Sequence, residues 1–363
     1  MLTVVGARPQ FIKAAPVSRV LRAHHDEFLL HTGQHYDDAM SDLFFRELEI
    51  PAPNRNLEVG SGTHGAQTAA MLVGIEAAAM EYTPDWMLIY GDTNSTLAGA
   101  LAATKLHLPV AHVEAGLRSY DRRMPEEVNR VVADHLSTLL LCPTDVAVGN
   151  LAWEGITTGV LMTGDVMYDA FEANLLRARE KSRVRSELSL EAGRYHLLTV
   201  HRAENVDDAD RLRAILRGLE ASELQIVFPA HPRTRAAMQK ANIEPGQNTR
   251  MIDPVGYLDM LVLEEGAETI LTDSGGVQKE AYFAGRPCIT LRDTTEWSET
   301  VDAGWNVLVG TDAERIAAAL RRFRPTGERP PLFGDGHAAS RVVEALGSTF
   351  GSPPGSPSAA HNP

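Results

Sequence analysis

Residues 86–130 carry the pattern that most restricts the fold of this chain. Two short apolar runs, WMLIYGD and PVAHVEAG, each predict a buried strand, and a stretch with helical periodicity, STLAGALAATKLH, lies between them. The crossover of such a strand–helix–strand unit is right-handed, so that its two strands lie parallel in one sheet. The segment therefore predicts a parallel α/β sheet.

Acidic side chains follow both strands and open the next helix. Asp92 and Glu114 lie at the carboxyl ends of the strands, and Glu126 lies where a helix begins next to Pro125. Ligands of open α/β sheets bind at this edge, and three carboxylates there indicate acid–base chemistry. A structural explanation is open for each of them. Asp92 could cap a helix and Glu126 could satisfy a helix dipole. Glu114 could pair with Arg118.

The alternation of apolar runs and helical stretches continues along the chain and loosens only around residues 149–165. Two domains are expected because 363 residues exceed what one core ordinarily holds. We predict an α/β protein with two doubly wound, Rossmann-like domains, residues 1–165 and 166–350, and an interdomain cleft. Residues 351–363, GSPPGSPSAAHNP, have the composition of a disordered tail.

Composition narrows the range of partners. A net charge of −14 argues against nucleic acid and membrane surfaces as partners, and no apolar stretch reaches transmembrane length. The two cysteines, Cys142 and Cys288, lie in separate apolar runs, which fits reduced core residues of a cytoplasmic enzyme. No Cys/His cluster has zinc spacing, so we expect no metal.

Two cations lie near the first strand-to-helix turn. Arg8 is in the turn of MLTVVGARPQFIK and Lys13 lies one helical turn later, where an anion would also meet backbone N–H groups. The turn lacks the glycine fingerprint of dinucleotide-binding folds. A solvated Arg8 and a Lys13 that extends to solvent would explain the same pattern.

Three loops of the second domain carry candidate binding residues. His201 and Arg202 follow the strand YHLLTVH, and His231 follows the strand LQIVFPAH. These positions predict side chains that face a ligand, although a lone histidine is more often structural.

The third loop, LTDSGGVQKEA, predicts a strand-to-helix turn whose residues have small side chains or none. Ser274, Gly275 and Gly276 therefore predict a phosphate cradle at a helix N-terminus, with Glu280 within reach of a ribose. Arg292 and residues 293–296 end the next strand at the same edge.

These stretches together resemble the non-hydrolysing UDP-N-acetylglucosamine 2-epimerase family, in the order that the family has them and over most of residues 1–311. The matching stretches are GARPQFIKAAP, TGQHYDDAM, GDTNSTLAGALAA, PVAHVEAGLRS, MPEEVNR, CPTD, TGDVMYDA, TVHRAEN, LTDSGGVQKEA and LRDTTEWSE.

The resemblance implies a fold, a reaction and a set of roles. The fold is the two-domain glycosyltransferase B type, usually as a homodimer. The reaction interconverts UDP-GlcNAc and UDP-ManNAc by elimination and re-addition of UDP, without a cofactor, for polysaccharide biosynthesis in the cytoplasm. The implied catalytic residues are Asp92, Glu114, Glu126 and His201. The implied UDP-sugar-binding residues are Arg8, Lys13, Arg202, His231, Ser274, Gly275, Gly276, Glu280 and Arg292.

Departures from the family pattern leave other functions open. Gln10 stands where the family commonly has Glu, and Ala203 where it has a second Arg. The PQFIKAA and HRAEN variants also look like the branch that acts on UDP-2,3-diacetamido-2,3-dideoxyglucuronic acid. A glycosyltransferase of the same fold, a silent nucleotide-sugar-binding regulator and a hydrolysing epimerase are further alternatives.

Overall fold

The computed structural model describes residues 1–34 and 51–350, without the side chains of Arg8, Thr349 and Phe350. The chain divides into two compact units. Unit 1 contains Met1–Ala170 and the residues from Phe333 on, and unit 2 contains Phe171–Leu332. The predicted tail, residues 351–363, lies outside the described residues.

Unit 1 is built on a parallel sheet of seven strands in the order β3-β2-β1-β4-β5-β6-β7. The strands are β1 (Leu2–Val5), β2 (Phe28–His31), β3 (Arg55–Asn56), β4 (Met87–Tyr90), β5 (Val110–Val113), β6 (Leu139–Cys142) and β7 (Val160–Met162). The described helices are Arg8–Leu21, His64–Tyr82, Asn94–Lys105, Pro125–Leu136, Asp145–Trp153 and Ala338–Phe350, with the start of Val166–Lys181.

Local sequence explains the central elements of this unit. The strands β4 and β5 are buried along their whole length, as their apolar runs predict. Thr93 caps the helix Asn94–Lys105 by accepting a hydrogen bond from Thr96 N, and Pro125 is the first residue of its helix. Small side chains such as Ala98 and Ala102 let the helix Asn94–Lys105 pack closely in the core.

Unit 2 repeats the design with six parallel strands in the order β10-β9-β8-β11-β12-β13. The strands are β8 (Tyr195–Thr199), β9 (Gln225–Pro229), β10 (Thr249–Ile252), β11 (Thr269–Thr272), β12 (Cys288–Thr290) and β13 (Asn306–Leu308). The helices are the remainder of Val166–Lys181, Val184–Glu187, Ala203–Val206, Ala209–Leu219, Pro232–Lys240, Tyr257–Gly266, Gly275–Phe283, Ser298–Asp302 and Ala313–Arg322.

Strand order reverses once in each sheet, between β1 and β4 in unit 1 and between β8 and β11 in unit 2. Such a reversal opens a crevice at the carboxyl ends of the strands, because the helices on its two sides cover opposite faces of the sheet. The prediction of two parallel, doubly wound α/β sheets is confirmed. The residues that follow β1, β4, β8 and β11 consequently become the first candidates for a site.

The predicted domain boundaries need correction. The helix Val166–Lys181 begins at the predicted boundary and continues past Ala170, where unit 1 gives way to unit 2. The final helix, Ala338–Phe350, was predicted to belong to the second domain and instead packs on Arg8–Leu21 of unit 1. Asp169 holds it there by accepting hydrogen bonds from Ala338 N and Ala339 N, at 3.1 and 2.8 Å.

We expect Gly159→Ala to destabilise unit 1 at its edge strand β7. Gly159 has φ +73°, and a Cβ there would clash with the carbonyl oxygen of Thr138. Gly155→Ala is the matched control, since Gly155 has φ +79° and nothing within 4 Å of a Cβ. Both variants lose about 1–2 kcal/mol to the left-handed backbone. Gly159→Ala loses a further ~1–3 kcal/mol to the clash, measured by urea denaturation. Equal losses would contradict this packing.

Candidate functional site

A buried ion pair joins the first helix to the end of β5 in unit 1. Lys13 Nζ contacts Glu114 Oε2, and both side chains are buried. A Cβ on Gly91, which follows β4 with φ +60°, would lie 3.0 Å from Lys13 Nζ and 3.2 Å from Glu114 Oε2. Glycine is therefore required where the backbone of β4 approaches this pair. Glu114 pairs with Lys13 and not with Arg118, which contacts Asp134 and Glu154.

Asp92 follows Gly91 and forms an ion pair with Arg130. Arg130 also lies 3.1 Å from Glu127, and Asn129 Nδ2 donates to the main-chain oxygen of Asp92 at 2.9 Å. The helix cap at this turn is Thr93, so the alternative explanation of Asp92 as a cap is wrong. Asp92 remains partly exposed, at 30% of its side chain, which leaves its carboxylate open to a ligand.

The adjacent glutamates at the start of the helix Pro125–Leu136 differ in position. Glu126 is exposed on the first turn. Glu127 is buried, and it accepts hydrogen bonds from Ser119 N at 2.8 Å and Tyr120 N at 3.0 Å. Glu127 thus holds the loop after β5, whereas Glu126 stays available to solvent.

Gln10 connects the two strand ends at the reversal point of unit 1, a role that the sequence did not reveal. Its side-chain oxygen accepts hydrogen bonds from Gly6 N and Ala7 N at 2.8 and 3.1 Å. Its amide nitrogen donates to the carbonyl oxygen of Tyr90 at 2.9 Å. A carboxylate could accept the first two bonds but could not donate the third, so Gln fits this position better than Glu does. Arg8 begins the adjoining helix, and the contacts of its side chain lie outside the described part of the chain.

In unit 2 a buried aspartate joins the ends of β8 and β11. Asp273 accepts hydrogen bonds from His201 N at 3.1 Å, Arg202 N at 3.0 Å and Asn205 Nδ2 at 3.1 Å. The Nδ1 atom of His201 lies 3.3 Å from Asp273 Oδ1, while nearly half of the histidine side chain is exposed. Asp273 therefore positions His201 and Arg202. The sequence contained one signal for it, an acidic residue directly between a buried strand and the Ser-Gly-Gly turn.

Two arginines converge on Glu296. Arg292 lies 2.8 Å from this carboxylate and Arg202 lies 3.4 Å from it. Burial would raise the pKa of Glu296, but the charges of Arg292 and Arg202 lower it below its usual value. The structure thus brings Arg202 and Arg292 together, although β11 separates the strands β8 and β12 that they follow.

The turn of Ser274, Gly275 and Gly276 begins the helix Gly275–Phe283 next to Glu296. Ser274 caps the helix by accepting from Val277 N at 3.4 Å. A Cβ on Gly275 would be in ordinary contact with Glu296 Oε1 at 3.5 Å and Trp297 Nε1 at 3.6 Å, so a larger side chain would occupy the space between the turn and these two residues. The first N–H groups of a helix have no partner within it, and this turn therefore has the geometry of an anion cradle.

Glu280 and His231 have surroundings that sequence alone does not reveal. Glu280 is buried and interacts with Glu264, whose pKa rises well above its usual value because of burial and the Glu280 carboxyl. Burial and the neighbouring carboxyl thus favour the neutral form of Glu264. His231 is exposed and caps the helix Pro232–Lys240 by accepting from Arg233 N at 3.2 Å.

Comparison with known proteins identifies the family of this chain. A family model described as UDP-N-acetylglucosamine 2-epimerase matches residues 19–347. This chain belongs to the UDP-N-acetylglucosamine 2-epimerase family. The prediction that it is an isomerase is confirmed, and so is the predicted family.

Relatives of known name cover nearly the whole chain. A Methanococcus maripaludis protein named UDP-N-acetylglucosamine 2-epimerase homolog is 52% identical over 95% of this chain and 99% of its own length. The UDP-2,3-diacetamido-2,3-dideoxy-D-glucuronate 2-epimerase of Pseudomonas aeruginosa is 46% identical, with coverage of 95% and 99%.

A solved structure also matches the fold. The Methanocaldococcus jannaschii UDP-GlcNAc 2-epimerase, in complex with UDP-GlcNAc and UDP, is 44% identical with a TM-score of 0.88. The match covers 96% of this chain and 99% of that one. The predicted glycosyltransferase B type of two-domain fold is confirmed. Among the described residues, none of the helices has both the length and the hydropathy needed to cross a bilayer.

We expect Glu296→Gln to remove a pH-dependent part of the stability of unit 2. Because the folded pKa of Glu296 lies below its ordinary value of 4.5, its contribution is present above about pH 4.5 and is lost as the pH falls through the folded pKa. The free energy of unfolding of the parent should therefore approach that of the variant as the pH falls. Denaturant unfolding of both proteins between pH 6 and pH 3 measures this difference. Glu204→Gln, at an exposed residue of the short helix Ala203–Val206, is the control. A difference independent of pH would contradict this account.

Proposed function

We propose that this chain interconverts UDP-GlcNAc and UDP-ManNAc without hydrolysis. The observation that carries the proposal is the pair of ion-paired carboxylates, Glu114 with Lys13 and Asp92 with Arg130. They lie at the ends of the adjacent strands β5 and β4, next to the point where the strand order reverses. The 44% identity to an epimerase solved with UDP-GlcNAc and UDP supports the same substrate class.

The chemistry of the substrate explains why several proton-transfer groups are needed. Carbon 2 bears an acetamido group and is not adjacent to a carbonyl, so its direct deprotonation gives a poorly stabilised carbanion. Elimination avoids this carbanion: the bond between carbon 1 and the UDP oxygen breaks together with loss of the proton from carbon 2, which gives a 2-acetamidoglucal and UDP. Re-addition of UDP to carbon 1, with a proton delivered to the other face of carbon 2, gives the epimer and balances the reaction.

Three carboxylates of unit 1 and one histidine of unit 2 are proposed to move protons and to stabilise positive charge on the sugar. Glu114, paired with Lys13, and Asp92, paired with Arg130, are assigned as bases. Glu126 is exposed and is assigned as a further acid–base group. His201, held by Asp273, is proposed as the fourth.

Residues of unit 2 are proposed to bind the nucleotide. The turn Ser274–Gly276 receives the pyrophosphate, and Arg202 and Arg292 supply positive charge beside it. Glu280, which is buried beside Glu264, is proposed to bind the ribose hydroxyls. Arg8, Lys13 and His231 are proposed to complete the contacts with the UDP-sugar. A cytoplasmic homodimer that serves polysaccharide biosynthesis stays a prediction.

Turnover in D₂O tests the reaction. Proton loss at carbon 2 must place deuterium there, and proton NMR of UDP-GlcNAc should show this with the protein alone. Glu114→Gln and Asp92→Asn should each slow the exchange by a factor on the order of 100 or more. Free ManNAc among the products would indicate a hydrolysing epimerase. Binding of UDP without exchange into either sugar would favour a glycosyltransferase.

A second substrate is favoured by one observation, the 46% identity to a UDP-2,3-diacetamido-2,3-dideoxy-D-glucuronate 2-epimerase. The same deuterium assay with that sugar nucleotide distinguishes the two substrates. Exchange in the uronate alone would keep the mechanism and replace the substrate.

Binding of UDP tests the cradle separately. We expect UDP to raise the melting temperature of the parent and to fail to do so for Gly275→Val, because a branched side chain fills the space above the turn. Gly149→Val is the control, since nothing lies within 4 Å of a Cβ at that helical position in unit 1. Equal shifts for the parent and Gly275→Val would remove this turn from the nucleotide site.

A further inference from the structure

A fully buried histidine lies beneath the catalytic edge of unit 1. His112 is in the middle of β5 and has no exposed surface. Its Nδ1 lies 2.7 Å from Asp134 Oδ1, and its Nε2 lies 2.7 Å from the carbonyl oxygen of Gly91. Both ring nitrogens therefore face oxygen atoms at hydrogen-bonding distance.

The oxygen atoms that face the two ring nitrogens determine how many protons the ring must carry. A carbonyl oxygen only accepts, so Nε2 must carry a proton toward Gly91. Asp134 also accepts hydrogen bonds from Arg118 at 2.7 Å and Gly116 N at 3.1 Å. Burial would raise the pKa of Asp134, but its hydrogen-bonded partners lower it, and the Arg118 guanidinium at 2.7 Å favours the carboxylate whatever the charge of His112. Nδ1 must then carry a proton too, because a bare nitrogen would face an anion.

Charged and titratable groups surround this ring on several elements. Asp134 comes from the helix Pro125–Leu136, and Arg118 comes from the loop after β5. Glu154 pairs with Arg118 from beyond the helix Asp145–Trp153, and Cys142 of β6 responds to the charges of both Asp134 and Arg118. When His112 carries a proton on both ring nitrogens, the positive charges of His112 and Arg118 equal in number the negative charges of Asp134 and Glu154. On the Gly91 side lies the balanced pair of Lys13 and Glu114.

We propose that His112 is a positioning residue that, as an imidazolium, ties the main chain of Gly91 to Asp134 and so fixes the catalytic carboxylates. Gly91 precedes Asp92 in the chain, and its backbone leaves just enough room for Lys13 and Glu114 to meet. A shift of Gly91 would move Asp92 and loosen the Lys13–Glu114 pair together. This inference rests on the proposed epimerase function.

Two amide substitutions separate the two bonds of the ring. The amide nitrogen of Gln is as many bonds from Cα as Nε2 of His, so His112→Gln can still donate to Gly91. The amide nitrogen of Asn corresponds to Nδ1, so His112→Asn can donate only to Asp134. Both variants lose the positive charge and should lose similar stability.

Deuterium exchange at carbon 2 of the substrate should distinguish them. We expect His112→Asn to lower kcat on the order of 100-fold with little change in KM, since displacement of catalytic groups acts mainly on the chemical step. His112→Gln should keep at least tenfold more kcat than His112→Asn. Equal kcat for the two variants, or more for His112→Asn, would overturn the positioning role.

Ring ¹⁵N NMR of the parent gives a readout that does not depend on activity. Loss of one signal set in His112→Gln, or a shift of one set in Asp134→Asn if His112→Gln does not fold, assigns His112 among the 13 histidines. We expect two similar nitrogen shifts, typical of an imidazolium, at the pH of the assay. One pyridine-like and one pyrrole-like shift would overturn the inference. Failure of the parent to exchange deuterium would instead count against the epimerase function.

Discussion

Right-handed crossovers between parallel strands bring the strand-to-helix turns of each sheet to one edge, and the rest of this molecule depends on that constraint. In unit 1 the edge collects Gln10, Gly91, Asp92 and Glu114 from the ends or neighbourhoods of three strands. In unit 2 it collects His201, Asp273 and Ser274. Each unit thereby assembles polar groups that are far apart in sequence at the ends of strands that are mostly apolar.

Polar groups at such an edge must be satisfied locally because they lie against a dry core. Unit 1 solves this with Gln10, an uncharged group that donates and accepts between β1 and β4. Unit 2 solves it with Asp273, a carboxylate that accepts from three N–H groups across β8 and β11. The two solutions are not interchangeable. One connects a donor-rich turn to a carbonyl, and the other holds one donor-rich segment, residues 201–205, at the end of β11.

The fold and the location of the candidate site could be predicted from sequence, whereas the pairing of side chains within the site could not. Apolar runs and caps mark strands and helices locally, and crossover handedness then places Asp92, Glu114 and Ser274 at an edge. The partner of Glu114 could not be found this way. Lys13 is 101 residues away in sequence, and the nearer Arg118 is taken by Asp134 and Glu154. Which glutamate of the pair Glu126 and Glu127 turns inward depends on the loop that it meets.

The return of the final helix to unit 1 was also beyond sequence patterns, because its amphipathic face would suit either core. Asp169 identifies the correct one, since its carboxylate accepts the first N–H groups of that helix. Unit 2 is therefore an insertion within unit 1, a continuous segment from Phe171 to Leu332. During synthesis a domain can fold once all its residues have left the ribosome. Unit 1 begins first, but all residues of unit 2 are synthesised before unit 1 is complete. The domain that carries the Lys13–Glu114 pair can therefore be completed only after the helix Ala338–Phe350 has been synthesised.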